Sequence, residues 1–382
     1  MSRTLREMRP VSVVGVGLHP YQRPGDTPYT ALGVHAVRAA LADAGLDWQA
    51  VETAYTGTAT TAMGLSRLMY RHLGASGIPM TQVENASASG STAFRQACID
   101  VASGLVEVAI AVGVDKPAAF RRPTTAAGVR DLAAGRIVPF THFALLANRY
   151  MFDHGATPEQ FAMVAVKNAR NGAGNPNAQR QKERTLEEVL APPQISGPLT
   201  RLQCCPIGEG AAAAIVASED AIARLGLDPA RAVRVLSSAA RSETVYQAEN
   251  FDAALTRETT EIALADAGIA ADALDVIELH DAFTVEELLY IEAMGLAPAG
   301  GAASQLAEGQ FDIGGRVAVS PSGGLLAMGH PIGPTGVGQI CEIAAQLRGE
   351  AGLRQHPGAR LGLAHMVGVG AVCLVHVLAA AA

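Results

Sequence analysis

The sequence is poor in aromatic side chains, poor in cysteine and without an excess of positive charge. Aromatic residues make up 4% of its 382 residues, five are cysteines, and 29 basic side chains face 36 acidic ones. An odd cysteine count without a CxxC pair argues against a disulfide framework and a zinc site. The formal charge of −7 argues against nucleic-acid binding, because neutralising phosphates needs clustered positive charge. We expect no metal, no nucleic-acid partner and a reducing, cytoplasmic compartment.

Long apolar runs are also scarce. The longest, residues 366–382, contains glycines and His376 and makes a poor membrane span, which needs roughly 20 apolar residues. The basic N-terminus lacks the apolar run of a secretory signal. Hydrophobic residues nevertheless make up 49% of the chain and charged residues 17%, which is enough for a large buried core. The composition therefore predicts a globular α/β protein without a membrane span.

The order of predicted elements repeats along the chain. Val- and Ile-rich segments alternate with Ala-rich helical segments, a pattern typical of βαβ crossovers. Residues 40–46 (ALADAGL) return as residues 263–269 (ALADAGI), and both copies end a predicted helix at a glycine before a strand candidate. We predict two similar α/β halves, residues 1–240 and 241–382. A segment at about residues 116–200, richer in Pro, Asn and charge, is predicted to be an excursion lying over one half.

The excursion supplies local positive charge in an acidic chain. Such charge suits a phosphorylated ligand, although each cation alone is more often an ordinary solvated side chain. The cations are Arg121, Arg122, Lys167, Arg170, Arg180, Lys182 and Arg184.

Four segments combine small, flexible and titratable residues. In residues 84–91 (ENASASGS), Ser87 lies between a strand candidate and a predicted helix. A hydroxyl there can be exposed for nucleophilic attack near helix N-terminal amides, although a lone serine is more often only an N-cap. In residues 278–284 (ELHDAFT), His280 follows a buried strand, at the carboxyl end where ligands of α/β folds gather.

The other two segments lie near the C-terminus. In residues 322–331 (SGGLLAMGHP), Ser322, Gly323 and Gly324 would let the backbone approach a ligand closely, and His330 precedes a predicted helix. In residues 364–370 (AHMVGVG), His365 lies between two strand candidates. A single histidine in an apolar strand is usually a core residue with satisfied hydrogen bonds. Three histidines at strand ends or glycine-rich turns favour a functional site.

Taken in this order, the four segments resemble the thiolase superfamily, specifically the sterol-carrier-protein-type thiolases and their bacterial and archaeal lipid-transfer-protein relatives. The similarity covers nearly the whole chain and includes residues 143–147 (FALLA) and 204–207 (CCPI). It implies the thiolase fold: two βαβαβ halves in a five-layer α-β-α-β-α arrangement, with an inserted loop domain over the first half. It also implies a homodimer or dimer of dimers. Some relatives work with a small partner that has an oligonucleotide-binding fold and a zinc ribbon.

The resemblance assigns a role to each candidate residue. Ser87 stands where the family has the cysteine that accepts the acyl group, and His330 matches the histidine that activates it. His280 matches a histidine of an oxyanion hole, which amides near residues 366–368 could supplement. His365 takes the place of the second acid/base, since Ala282 replaces the cysteine that can follow His-Asp. Coenzyme A is then a substrate or product, with its phosphates near Arg180, Lys182 and Arg184, and no cofactor is permanently bound.

The serine leaves three hypotheses open. A thiol ionises near pKa ~8.5, whereas a hydroxyl needs a well-placed base, and its ester is a poorer acyl donor back to coenzyme A. The first hypothesis is a thiolase-like acyltransferase, in which Ser87 works with His330 or stands in for a cysteine replaced to trap a complex. The second is a cysteine-independent retro-aldolase acting on a 3-hydroxyacyl-CoA. The third, a non-catalytic CoA-thioester-binding scaffold, accounts poorly for the three histidines.

Overall fold

The structure is a computed structural model that describes residues 4–61, 63–117, 139–244, 251–368 and 372–381. Arg121 and Arg122 lie outside these residues. The strands are β1 (Val11–Gln22), β2 (Thr53–Gly57), β3 (Met80–Val83), β4 (Val108–Asp115), β5 (Gln194–Ser196), β6 (Leu199–Thr200), β7 (Glu209–Ser218), β8 (Val233–Ser242), β9 (Val276–Glu278), β10 (Ala318–Val319), β11 (Leu361–Gly368) and β12 (Val372–Ala379).

The helices are similarly spread along the chain. They are α1 (Tyr29–Ala44), α2 (Leu65–Tyr70), α3 (Ser89–Ser103), α4 (Pro139–His154), α5 (Pro158–Ala173), α6 (Leu186–Leu190), α7 (Glu219–Leu225), α8 (Phe251–Ala267), α9 (Thr284–Ala293), α10 (Ala302–Ala307), α11 (Gly324–Ala327) and α12 (Ile332–Arg348). Within the described ranges, none of them is long and apolar enough to cross a membrane.

Two five-stranded sheets have the same topology. The first has the order β3-β2-β4-β7-β1 and the second the order β10-β9-β11-β12-β8. In each sheet, the strand that comes second in the chain (β2 or β9) is parallel to its two neighbours. The strand that comes last in the chain (β7 or β12) is antiparallel to both of its neighbours. The two similar halves are therefore confirmed, and the repeated ALADAG segments end the equivalent helices α1 and α8.

The sheets meet at a single short junction. Strands β1 and β8 pair only through Ser12–Arg234 and Val13–Val233. The division expected at residue 240 falls inside β8, which pairs with β12 and belongs to the second sheet. We therefore propose that the two halves divide near residue 232.

Helices α3 and α12 form the layer between the sheets. Helix α12 contacts strands of both sheets and is buried on nearly every face, which accounts for its run of small and apolar residues. Helices α1 and α8 cover the outer faces, which completes the five layers. The central layer is tightly packed: a Cβ atom on Gly90 would lie 2.4 Å from the carbonyl oxygen of Gly333, and one on Gly113 would lie 2.4 Å from Cα of Pro334.

The described part of the excursion, residues 139–200, packs mainly on the second half, whereas the sequence predicted the first. Helix α5 contacts α9, α10 and α11, and helix α4 contacts α9. Its apolar residues Phe143 and Phe161 join the same core as Leu288 and Ile291 of the second half. The chain leaves the first half after β4 and buries this segment across the molecule, because the apolar faces that cover it belong to the second half.

We predict that Gly113→Ala destabilises the protein. The added methyl group would collide with the backbone of Pro334, and overpacking of this kind costs about 1–3 kcal/mol. Urea unfolding measures the loss. Gly25→Ala is the control, since its Cβ would have no neighbour closer than 3.8 Å. Equal stability of the two variants would contradict the packing described for the central layer.

Candidate active site

Ser87 lies in a strained turn immediately before the central helix α3. Ala86 has a positive φ of 48°, a backbone conformation that residues other than glycine rarely adopt. The turn is braced by Ser89, whose hydroxyl donates to the carbonyl of Ala86 and accepts the amide of Asn85. Gly368 at the end of β11 packs on this turn, since a Cβ there would lie 2.4 Å from the oxygen of Asn85. Ser87 itself is only 4% exposed.

His330 faces Ser87 directly. Its Nε2 lies 3.1 Å from Oγ of Ser87, and its Nδ1 lies 2.9 Å from Oγ1 of Thr335. The Thr335 hydroxyl donates to the carbonyl of Pro331, so it accepts from Nδ1–H of His330. This assignment leaves the lone pair of Nε2 for the Ser87 hydroxyl. Burial, together with the neighbouring His280, lowers the pKa of His330 well below its usual value and keeps the ring neutral.

Asp115 fixes the start of the helix that follows His330. This buried carboxylate, at the end of β4, accepts the amide of Gly333 at 2.5 Å. It also accepts hydroxyl and amide hydrogens from Thr58 and Thr60. The first sheet is thus tied to the histidine loop of the second half.

His280 lies beside His330 and is held by a carboxylate. The two rings meet edge to face with their centroids 5.3 Å apart. Nδ1 of His280 lies 2.8 Å from Glu286, which also accepts the Tyr290 hydroxyl and the amide of Phe283. Nε2 of His280 is buried and has no hydrogen-bond partner among the described residues. A buried polar atom without a partner is costly, so Nε2 is available for a ligand.

The segment 204–207 spans the loops that carry the two histidines. Cys204 pairs with Phe283 and Ile207 pairs with His330. The amide of Cys205 donates to the carbonyl of Ala282. The CCPI sequence thus fixes the spacing of the two loops.

His365 lies behind His280 rather than facing Ser87. It belongs to β11, not to a loop as predicted, and its side chain is fully buried. Its Nδ1 accepts the amide of His280 at 3.4 Å, and its Nε2 is 3.0 Å from the Thr256 hydroxyl. Burial lowers its pKa to about 3. With both nitrogens occupied, His365 supports the backbone of His280, and its contacts do not favour the predicted acid/base role.

Ser322, Gly323 and Gly324, which sequence analysis predicts to approach a ligand, make close contacts within the protein. Both carboxylate oxygens of Glu278 accept from Ser322, one from its amide and one from its hydroxyl, at 2.8 Å each. A Cβ on Gly323 would lie 2.7 Å from Cα of Gly172, and one on Gly324 would lie 2.0 Å from Asp281. The glycines bring this loop against protein groups, and a sequence pattern cannot separate that use from a ligand contact.

Three of the seven predicted cations line one open cleft. The cleft, of about 240 Å³, is lined by Arg180, Lys182 and Arg184 together with Arg23, which sequence analysis did not single out. Arg180 is largely buried and donates to the carbonyls of Cys204 and Leu326, so it also holds loops together. Lys182 and Arg184 share Glu188 at 3.2 and 3.4 Å. Arg170 pairs with Asp312 outside this cleft.

Lys167 is not a surface cation but part of a buried network. Its Nζ lies 3.1 Å from Glu287 and donates to the carbonyl of Val319. Asn168 donates to Asp281 at 2.6 Å and to Glu287 at 3.0 Å. Burial raises the pKa values of Asp281 and Glu287, and Lys167 opposes that shift. The network anchors the loop after His280 to helix α5.

Sequence analysis missed the residues that orient the two histidines. Thr335 and Glu286 lie on helices, and their only sequence signal is a polar side chain in an otherwise apolar helix. Glu286 and Glu287 are adjacent in TVEELLYIEA and are both buried, which is unusual for carboxylates. In the part of the chain that the structure describes, no three His, Cys, Asp or Glu side chains group as metal ligands would.

Comparisons with known proteins identify the family. Residues 22–220 match the family described as Thiolase, N-terminal domain, and residues 237–379 match Thiolase C-terminal domain-like. Over 396 residues the chain is 37% identical to Sterol carrier protein 2 of Gallus gallus, covering 96% of this chain and 71% of that protein. The chain therefore belongs to the thiolase family, whose members are enzymes that act on acyl-CoA, and the resemblance found in the sequence is confirmed.

Two further relatives differ in the reaction that their names describe. The chain is 35% identical over 383 residues to Acetyl-CoA acetyltransferase of Methanothermobacter thermautotrophicus, covering 97% of this chain and 99% of that one. A solved structure of an Ltp2-ChsH2(DUF35) aldolase matches with a TM-score of 0.83 and 26% identity, covering 97% and 98%. The family matches and the likeness to the solved aldolase confirm the predicted fold class. The family alone does not decide between acyl transfer and aldol cleavage.

We predict that Lys167→Met strongly destabilises the protein. Removing the ammonium group leaves Glu287 buried without its cation, and breaking a buried ion pair costs about 3–5 kcal/mol. The matched control is Lys182→Met, because the Lys182–Glu188 pair is exposed and such pairs contribute at most about 1 kcal/mol. Guanidinium unfolding of both variants decides: similar losses would argue against the buried network.

Proposed function

We propose that the protein makes or breaks the carbon–carbon bond next to a CoA thioester carbonyl, with Ser87 as acyl acceptor. The observation that carries this proposal is the 3.1 Å contact between Oγ of Ser87 and Nε2 of His330, with Nδ1 of the ring occupied by Thr335. An alcohol needs a base at this distance, with a free lone pair, to act as a nucleophile. Ser87 is itself buried, which limits competition by water as acyl acceptor.

In the cleavage direction, Ser87 attacks the 3-oxo carbon of a 3-oxoacyl-CoA while His330 takes the hydroxyl proton. The C2–C3 bond breaks, the acyl group stays on Ser87 as an ester, and its electron pair leaves on the enolate of acetyl-CoA. The enolate takes the proton that His330 accepted, which gives acetyl-CoA and restores the neutral ring. The thiol of a second coenzyme A then displaces the acyl group and returns a proton to Ser87. His280 supports the cleavage of the C2–C3 bond, since its unpartnered Nε2, when protonated, can donate a hydrogen bond to the enolate oxygen.

Retro-aldol cleavage of a 3-hydroxyacyl-CoA is the second candidate. Its support is the likeness to a solved aldolase at 26% identity, together with two neighbouring histidines whose Nδ1 atoms are both engaged. A histidine removes the hydroxyl proton, the C2–C3 bond breaks, an aldehyde or ketone leaves, and the thioester enolate is protonated. This route forms no bond to Ser87, so an acyl adduct on Ser87 separates the two reactions.

Coenzyme A and partner chains complete the proposal. The cleft lined by Arg23, Arg180, Lys182 and Arg184 suits the phosphates of coenzyme A, which acts as substrate or product. We propose a homodimer or dimer of dimers from the family resemblance, and a cytoplasmic compartment from the cysteine content. The similarity to an aldolase solved with ChsH2(DUF35) supports a further small partner protein, of the zinc-ribbon type expected from the sequence.

We predict that Ser87→Cys raises thiolysis of 3-oxoacyl-CoAs about 100-fold, equivalent to about 2.7 kcal/mol. A cysteine thioester exchanges with coenzyme A more readily than a serine ester, so the second half-reaction should be the slow one in the protein with Ser87. Product assays and intact mass measure this. The mass of the unaltered protein with a 3-oxoacyl-CoA should show an acyl adduct that Ser87→Ala lacks.

Ser103→Cys is the control for that experiment, since it adds a thiol at an exposed position on the far end of α3. No gain on Ser87→Cys would contradict acyl transfer. Ketone or aldehyde release from 3-hydroxyacyl-CoAs without an adduct would establish the aldolase, and binding without products would establish the scaffold.

We predict that Lys182→Glu combined with Arg184→Glu weakens binding of coenzyme A about tenfold, or about 1.4 kcal/mol. The reversal replaces attraction for the phosphates by repulsion. Calorimetric titration with coenzyme A measures it. Arg71→Glu with Arg224→Glu changes the net charge equally, and neither residue lines the cleft. Equal affinity of the two double variants would remove the cleft from the binding site.

A further inference from the structure

A small cavity with several polar side chains in its wall lies behind the two histidines. It measures about 20 Å³, and its wall includes Glu278, Ser322, Thr335, Gln339, Glu342 and Tyr21. A cavity of this size holds one water molecule if two or more polar groups face it. Thr335 is the residue that orients His330, and Glu278 lies two residues before His280. The cavity therefore adjoins the supports of both histidines.

Gln339 contributes an acceptor that no described residue satisfies. Its Nε2 donates to the carbonyl of His365 at 3.1 Å, which fixes the orientation of the amide. Its Oε1 is then left on the cavity side, and it is buried without a partner. Since His365 supports the amide of His280, Gln339 connects the cavity to the site through two hydrogen bonds. An unsatisfied amide oxygen requires a donor in the cavity.

Glu278 is the carboxyl group of this cavity that has no ion-pair partner among the described residues. It is buried, and both of its oxygens accept hydrogen bonds from Ser322. In contrast, Glu342 is held by two nitrogens of Arg354. A charge buried without a partner is costly, so this environment favours the carboxylic acid at Glu278, which can donate a hydrogen to a water that in turn donates to Gln339.

We propose that Glu278 is a positioning residue that carries a proton in the folded protein. One water in the cavity joins its carboxylic acid to Oε1 of Gln339, and this bridge holds the supports of His280 and His330 in place. The effect on activity rests on the function proposed above, whereas the protonation of Glu278 does not.

The charges around Glu278 agree with its holding a proton. Burial and the neighbouring carboxylate of Glu342 raise its pKa to about 8, against the opposing effects of Ser322 and Lys167. Lys167 is engaged with Glu287, and Asp281 adds a further acidic neighbour. Tyr21, facing from β1, donates to the carbonyl of Pro334 and remains neutral, because burial raises its pKa well above the usual value.

Glu278→Gln tests the protonation without any substrate. The folded protein binds a proton at Glu278 up to about pH 8, whereas the unfolded chain releases it near pH ~4.3, so stability is lost as the pH rises between these values. Over this range the unfolding equilibrium constant of the unaltered protein should rise about tenfold more per pH unit than that of Glu278→Gln. Glu342→Gln is the matched control at the same cavity and should keep the slope of the unaltered protein.

The positioning role has its own measurements. If the proposed activity is present, kcat of the unaltered protein should fall as the pH passes about 8, while Glu278→Gln, an uncharged mimic of the acid, keeps its rate. A high-resolution crystal structure should show one ordered water within hydrogen-bond distance of Gln339. Equal pH slopes of stability in the unaltered protein and Glu278→Gln would overturn the protonation, and a dry cavity would overturn the bridge. A matched alkaline loss of rate in both proteins would overturn the positioning role.

Discussion

The site depends on the fixed orientation of two imidazole rings and on the neutrality of one of them. Burial and the neighbouring His280 lower the pKa of His330, which preserves the neutral ring that the proposed base requires. Orientation comes from Nδ1, which is bound to Thr335 in His330 and to Glu286 in His280. Because one nitrogen of each ring is bound within the protein, the other is left for Ser87 in His330 and for a ligand in His280. Much of the surrounding polar structure serves this arrangement.

The duplicated fold explains how distant residues meet. Ser87 and His330 each precede a helix of the central layer, α3 in the first half and α12 in the second, and these are equivalent helices. Since the two halves repeat, their central helices begin on the same side of the molecule, where the positive ends of both helix dipoles face the site. Glycines at positions 90 and 333 allow the helices to approach closely enough for a direct contact of 3.1 Å between Oγ of Ser87 and Nε2 of His330.

The sequence was sufficient for the fold class, and it singled out three residues that the structure brings together. Ser87, His280 and His330 stand at strand ends or helix starts, so their positions follow from local pattern and the known gathering of ligands there. The partners could not be predicted, because Thr335 and Glu286 reach the rings through side chains whose direction depends on helix packing. His365 was misplaced for a similar reason: a histidine in an apolar strand shows which strand it belongs to but not which group it faces. The side on which the excursion packs depends on contacts between segments more than 100 residues apart, such as Tyr150 with Glu292.

A serine nucleophile needs a more closely placed base than a cysteine nucleophile does. A thiolate can form before the substrate binds and is stabilised by the helix N-terminus alone, whereas a hydroxyl loses its proton only during attack. In the proposed acyl transfer, the rate for Ser87 therefore depends on the lone pair of His330, and small rotations of that ring matter more. Two contacts hold the loop that carries His330. The Thr335 hydroxyl donates to the carbonyl of Pro331, and the amide of Gly333 donates to Asp115 of the first sheet. Because the contact between Gly333 and Asp115 joins the two halves, a change at the junction between the two sheets would disturb the contact between Ser87 and His330.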